Sequence, residues 1–246
     1  MSELICEIKE DIARIVLNRP ERLNAFDEKL ANLWKETNQR IASDSSVKAV
    51  VLSGNGPSFC AGGDVKGMSQ LPDGREVTRL ARIIHEGTIA LITSDKPVVA
   101  AVHGANAGGG LGIMLAADYV IADPKSRFAG KYSAIGLTPD LGVSTLVARV
   151  VGQTRAFKLL LKEDFIDVAT ALDWGLISEI SDNPLEEAQK LATEWSKNAF
   201  AFGQAKRLVR AGFYRSQADS FSDEAETIGK SFDTDAAKMR IGAFIR

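Results

Sequence analysis

The chain opens with apolar and polar residues in alternation. Leu4-Ile5-Cys6-Glu7-Ile8 and Ile12-Ala13-Arg14-Ile15-Val16-Leu17 flank a polar break at Lys9-Glu10-Asp11, which predicts a β-hairpin. After the loop Asn18-Arg19-Pro20-Glu21-Arg22 the period lengthens. Between Asp27 and Ile41, the apolar positions Leu30, Leu33, Trp34 and Ile41 share one helical face. Val47 to Leu52 is a short apolar run closed by the turn residues Ser53-Gly54-Asn55-Gly56-Pro57, and reads as a strand. A second amphipathic helix carries Val77, Leu80, Ile84 and Leu91. Pro97 to Val102 reads as a buried strand, Gly110 to Ala117 as the helix behind it, and Tyr119-Val120-Ile121-Ala122 as a return to the sheet. Strand alternating with helix implies parallel crossover units and an α/β fold. Beyond Thr154 nearly every segment has helical spacing, including Leu185 to Asn198 and Phe200 to Tyr214. The expected organisation is a core over residues 1–190 and a helical region over 191–246.

Composition narrows the partners. The 246 residues are 45% apolar and 25% charged, an ordinary globular balance. Thirty Lys and Arg against 32 Asp and Glu leave a net charge of −2, without the basic excess that phosphate neutralisation on nucleic acid requires. Two cysteines, Cys6 and Cys60, are too few for a disulfide framework or a thiolate zinc site. The longest apolar stretch, Pro97 to Ala122, is broken by His103, Asn106, Asp118 and five glycines, so it does not read as a membrane span. Met1-Ser2-Glu3-Leu4 lacks the pattern of a secretory signal, and Phe244-Ile245-Arg246 is no peroxisomal address. The expected location is the cytoplasm.

Two glycine-rich turns follow strands. The first is Gly54-Asn55-Gly56-Pro57-Ser58-Phe59-Cys60-Ala61-Gly62-Gly63-Asp64; the second, Gly104-Ala105-Asn106-Ala107-Gly108-Gly109-Gly110-Leu111-Gly112, opens a helix. Successive glycines let a ligand approach the main chain, and unpaired N–H groups at a helix start carry partial positive charge. Such a turn suits an oxygen that becomes anionic during reaction. A phosphate-binding P-loop needs Gly-Lys-Ser/Thr where this chain has Gly110-Leu111-Gly112, and neither turn has dinucleotide-fingerprint spacing. The plain alternative is tight strand-to-helix packing; two such turns on one chain favour a site.

The residues then become specific. Leu17-Asn18-Arg19-Pro20-Glu21-Arg22-Leu23-Asn24-Ala25, Phe59-Cys60-Ala61-Gly62-Gly63-Asp64, Lys96-Pro97 through Gly108-Gly109-Gly110, Gly136-Leu137-Thr138-Pro139 and Ala171-Leu172-Asp173-Trp174-Gly175-Leu176-Ile177 together resemble the crotonase, or enoyl-CoA hydratase/isomerase, superfamily. The resemblance spans nearly the whole chain. It implies a spiral of ββα units, a C-terminal helical trimerisation region, assembly as a homotrimer or dimer of trimers, and an acyl-CoA thioester substrate. It implies no metal or redox cofactor, coenzyme A being part of the substrate. Carried over by position, Ala61 and Gly109 would donate backbone N–H groups to the thioester carbonyl. Arg22, Leu23, Ala25, Gly63, Asp64 and Val65 would line the coenzyme A moiety, and Phe244 would close over the nucleotide of a neighbouring subunit. Leu23 and Ala25 are explained equally well as core residues, and Phe244 as helix packing.

The reaction is not fixed by the motifs. Hydratases of this family place two glutamates about a water; the matching positions here hold Gly112 and Tyr132. Glycine transfers no proton, and a phenol of ordinary pKa ~10 is a poor base at neutral pH. A carboxylate stands instead at Asp140, one residue after Pro139, as in isomerase-type members including 1,2-epoxyphenylacetyl-CoA and Δ3,Δ2-enoyl-CoA isomerases. There one carboxylate can shuttle a proton between the α and γ carbons. The bland alternative for Asp140 is a turn or N-cap residue before a helix starting near Gly142. A second chemistry is that of 4-chlorobenzoyl-CoA dehalogenases, in which the aspartate is a nucleophile and a histidine activates water; His85 is the candidate for it, though it reads better as a partly exposed helix residue. Tyr132 in place of their tryptophan counts against that chemistry. A catalytically degenerate coenzyme A-binding or scaffold protein is the non-enzymatic alternative. His103, at a strand end, reads as structural.

Overall fold

The computed structural model describes residues 2–245. The predicted hairpin forms from β1 (Leu4–Lys9) and β2 (Ile12–Leu17), antiparallel with Leu4 opposite Leu17. Glu10 and Asp11 take φ values of 49° and 64°, as a tight two-residue turn between twisted strands requires. A 3₁₀ turn at Pro20–Arg22 leads to α1 (Glu28–Ser43), whose first turn is capped by the Asp27 carboxylate accepting from the Leu30 N–H. The chain continues through β3 (Ala49–Gly54), the short α2 (Val65–Met68), α3 (Gly74–Thr93), β4 (Val98–Val102), β5 (Ala105–Ala107), α4 (Gly109–Leu115), β6 (Tyr119–Ala122) and β7 (Arg127–Ala129). Then come α5 (Val143–Val151), α6 (Gln153–Leu161), β8 (Ile166–Asp167), α7 (Val168–Asp173), β9 (Glu179–Ile180), α8 (Pro184–Ser196), α9 (Ala199–Gly212), α10 (Gln217–Phe232) and α11 (Asp235–Phe244).

Six strands make one sheet in the order β1-β2-β3-β4-β6-β9, parallel from β2 onward. β5, β7 and β8 make a second, small sheet. The central parallel strands are buried on both faces, which is why β3 and β4 read as continuous apolar runs. Val50, Leu52, Val98, Ala100 and Val102 face the main core with α1, α3, α4 and α5. Their alternates Ala49, Val51, Val99 and Ala101 face a smaller core closed by Ala188 and Ala192 of α8. Since α8 covers the second face, it belongs to the body. The expected boundary at 190/191 cuts through this helix, and the helical tail begins only with α9.

α1 crosses α3 closely. A Cβ on Gly87 would stand 2.7 Å from the Lys35 Cα, and the Trp34 indole N–H donates to Thr88 Oγ1 at 3.1 Å. α9 is fastened to the body by Lys206, whose buried Nζ donates to the Leu91 and Lys96 carbonyls at 2.9 and 2.7 Å and lies 3.2 Å from Asp118. Burial pulls this ammonium down to about 8 despite the Asp118 charge. Beyond that anchor, α11 buries no side chain, and Phe213, Tyr214, Phe221, Ile228, Phe232 and Met239 are exposed. No helix among the described residues is long and apolar enough to cross a membrane.

Candidate active site

The two glycine turns lie against each other. A Cβ on Gly62 would stand 2.9 Å from the Gly109 nitrogen and 2.9 Å from the Ala107 carbonyl oxygen, so only glycine permits this approach, and its φ of 98° favours glycine as well. Gly110 packs as tightly, with its would-be Cβ 2.2 Å from the Cys60 carbonyl oxygen. The first turn is held open from below by Asn24, whose side-chain amide donates to the Asn55 and Ser58 carbonyls at 2.9 and 2.8 Å. His103 Nε2 bonds the Gly56 carbonyl at 2.8 Å, the structural part expected of it.

The amides of the first turn are apportioned differently from the sequence reading. Ala61 donates its N–H to the Leu23 carbonyl at 3.0 Å. It therefore has no free donor to offer, which corrects its expected role as a carbonyl donor. Three residues after Leu23, Phe26 pairs with the turn in parallel fashion: its N–H donates to Gly62 O at 2.7 Å, and its carbonyl accepts from Asp64 N at 2.9 Å. In such a bridge the intervening Gly63 N–H points away from the partner strand. Among the described residues no protein acceptor meets the Gly63 or Gly109 amide. Gly63, read from the sequence only as a coenzyme A-lining position, thus presents an N–H with no protein acceptor, which sequence reading missed. Its signal was the pairing of Phe26, a contact between positions far apart in the chain.

Asp140 stands at the mouth of the second turn, with Oδ1 3.5 Å from the position a Gly109 Cβ would take. The buried Tyr132 phenol donates to that same Oδ1 at 2.7 Å. Burial, and then the Asp140 charge beside it, push the phenol far above its ordinary pKa, so Tyr132 is a donor and not a base. Of the bland alternatives for Asp140 the cap fails, since α5 begins at Val143 behind Gly142 without a side-chain cap, while the turn holds, the Asp140 carbonyl accepting from Val143 N at 2.9 Å and leaving the carboxylate free of it. Gly112, the first glutamate position, is sterically closed. A Cβ there would lie 2.0 Å from the Leu141 carbonyl oxygen.

Of the remaining expected positions, Arg22 is exposed on the 3₁₀ turn, Leu23 is 41% exposed with φ 52°, and Gly63 and Val65 are exposed beside them. These four share the open side of the first turn. Ala25 is buried and its carbonyl accepts from Arg19 at 2.6 Å, the core role already weighed for it. The Asp64 carboxylate caps α2 through Gly67 N at 3.0 Å and pairs with Arg19 at 3.0 Å. Burial opposes its charge, but the Gly67 N–H and the Arg19 guanidinium win and hold it below the usual carboxylate range. That side chain shapes the turn and has no free oxygen directed to a ligand by an unmet bond. Phe244 lies on α11, 93% exposed and packed into no core of its own chain. Among the described residues no three His, Cys, Asp or Glu side chains gather as metal ligands would.

An α/β body with a helical tail and two abutting glycine turns under one carboxylate defines the class. The model of the enoyl-CoA hydratase/isomerase family matches residues 7–246. The chain is 29% identical over 242 residues to 1,2-epoxyphenylacetyl-CoA isomerase of Escherichia coli K12, covering 95% of this chain and 92% of that protein. It is 30% identical over 251 residues to the short-chain-enoyl-CoA hydratase of Clostridium acetobutylicum, covering 100% of this chain and 95% of that one. A solved structure from Mycobacterium abscessus, described as an enoyl-CoA hydratase/isomerase, superposes with a TM-score of 0.93 at 30% identity over 98% of this chain and 96% of its own. The chain belongs to the enoyl-CoA hydratase/isomerase family and has the crotonase fold.

Proposed function

We propose that this protein is an acyl-CoA enzyme that moves a double bond of an enoyl-CoA, with Asp140 as the proton shuttle. The observation that carries this reading is the Asp140 carboxylate, tied to Tyr132 at 2.7 Å and set beside the unpartnered Gly109 amide, while Gly112 is filled by the Leu141 main chain. The Gly63 and Gly109 N–H groups form the oxyanion hole for the thioester oxygen. Asp140 takes a proton from the carbon α to the thioester, and the electron pair moves into the carbonyl to give an enolate. The two amides stabilise that oxygen, each contributing about 3 kcal/mol at the transition state. Electrons then return through the chain as the acid gives its proton to the γ carbon. No water is activated and no net proton is exchanged. Tyr132 fixes one carboxylate oxygen, leaving the other for the substrate. Arg22, Leu23, Gly63 and Val65 border the coenzyme A moiety, and no metal or redox group is needed.

The dehalogenase-like alternative needs His85 free to activate water; its Nε2 is occupied by the Leu141 N–H at 3.0 Å. The exposed apolar residues of α9 to α11 support the further proposal that the tail joins copies of the chain into a trimer or a pair of trimers. Parallel assay of a 3-enoyl-CoA, crotonyl-CoA and 4-chlorobenzoyl-CoA tests the reaction. Turnover of the 3-enoyl thioester is expected, with crotonyl-CoA hydration slow and no chloride release. Rapid hydration or dehalogenation would displace the proposal, and failure to bind any acyl-CoA on titration would favour a scaffold.

A further inference from the structure

We propose that His85 is a positioning residue for Asp140, clasping the loop that carries it through the main chain of Leu141; this rests on Asp140 being the base. Leu141 is the neighbour of that carboxylate, and its conformation is uphill for a residue with a side chain: φ is 48°, followed by 79° at Gly142. Three contacts hold it there. Its side chain seats over Gly109, where a Cβ would come within 2.5 Å of Leu141 Cδ1. Its carbonyl seats over Gly112, one turn further along α4, where a Cβ would come within 2.0 Å. Its N–H donates to His85 Nε2 at 3.0 Å.

The two glycines supply room but no attraction with direction. His85 supplies the direction. Leu141 is buried, 1% exposed, so its N–H has an acceptor in this arrangement only because the imidazole reaches it. To accept, Nε2 must carry its lone pair, which puts the ring proton on Nδ1. The ring comes from α3, a 20-residue helix capped by Asp73 and packed on α1, so the loop is referenced to a rigid element and not to another loop. Tyr132 then sets the carboxylate rotamer, while the clasp sets where the carboxylate's own main chain stands. Placement errors of about 1 Å cost a base on the order of 100-fold in rate.

The test is steady-state turnover of a 3-enoyl-CoA by His85→Leu, His85→Gln, His85→Asn and Asp140→Asn, with melting temperatures alongside. His85→Leu removes the acceptor, and kcat is expected to fall about 10- to 100-fold with KM within about twofold. Glutamine can place an oxygen near the Nε2 position, so His85→Gln is expected within about fivefold of wild type; asparagine is too short and should behave as leucine does. Wild-type kcat in His85→Leu, or glutamine no better than leucine, overturns the clasp. Should His85→Leu fail to fold, recovery by glutamine over asparagine carries the same decision, and equal loss in both overturns it. Asp140→Asn separates the two claims. Its loss beside a silent His85→Leu removes the clasp and keeps the base; wild-type turnover in Asp140→Asn removes the base and the clasp with it.

Discussion

The body up to Ser196 and the tail from Ala199 are built on opposite terms. In the body, main chains touch: Gly62, Gly87, Gly110 and Gly112 each face a neighbour at a distance that excludes a methyl group. In the tail only α9 does so: a Cβ on Gly203 would lie 2.2 Å from the Asp95 carbonyl oxygen, beside the buried Lys206, whereas α10 buries only Thr227 and α11 nothing. A close-packed region resists small changes in geometry and can hold reacting groups in place. A region whose last two helices bury one side chain between them, with Phe221, Ile228, Phe232 and Met239 exposed, leaves apolar surface uncovered in a single chain. Under the proposed function, precision for chemistry belongs to the first and association to the second.

Five substitutions would sharpen or break that contrast. The largest effect is expected from Asp140→Asn, which should lower kcat at least about 100-fold while acyl-CoA binding and melting temperature stay close to wild type. Unchanged turnover would separate the close-packed body from catalysis. Next is Gly112→Ala. With 2.0 Å to the Leu141 oxygen, it should destabilise by about 1–3 kcal/mol in denaturant unfolding and lower kcat as well, so restoring a glutamate there should not create a hydratase. Full stability in this variant would mean that the body yields as easily as the tail.

The joint between the regions has a pH signature. Lys206 carries a folded-state value of about 8 against 10.5 for the free side chain. Between those values the unfolded chain binds a proton that the folded chain has released, so this group's contribution to stability rises with pH across the window. Its burial penalty is present in full below about 8. Thermal melts from pH 7.5 to 10.5 should show wild type gaining stability relative to Lys206→Met as pH rises, the raised Cys6 and Cys60 thiols contributing equally to both. An identical slope in both would detach Lys206 from the effect. The smallest change in stability is expected from Phe232→Ser and Ile228→Lys on the exposed face of α10, about 0.5 kcal/mol or less. Sedimentation should nonetheless show weaker self-association; an unchanged assembly would place the interface elsewhere.

The strand and helix pattern was legible where runs were long. Leu4–Leu17 forms the hairpin, Leu30, Trp34 and Ile41 are buried on one face of α1, and β4 follows Pro97, all as periodicity and turn residues imply. What escaped were the two- and three-residue strands β5, β7, β8 and β9, too short to show a period. The boundary at 190/191 was misplaced because α8 has ordinary amphipathic spacing, and nothing in that spacing says which sheet face it covers. In the site, glycine at 109 and acid at 140 were visible. Which amide of the first turn is free was not: Ala61 and Gly63 differ only in the partners that Leu23 and Phe26 provide.

Residue types alone therefore determined which chemical groups the candidate site can draw on. They supply glycines that admit close approach, a carboxylate at Asp140, and, at the two glutamate positions, a glycine and a phenol that is a poor base. Tertiary structure decided which of those groups are available to a substrate. An N–H is a donor to a ligand only when no carbonyl of its own chain reaches it, and a carboxylate is a base at a given carbon only when its main chain is held there. Both conditions are set by contacts between residues tens of positions apart, such as Leu23 with Ala61 and His85 with Leu141. No local pattern encodes them.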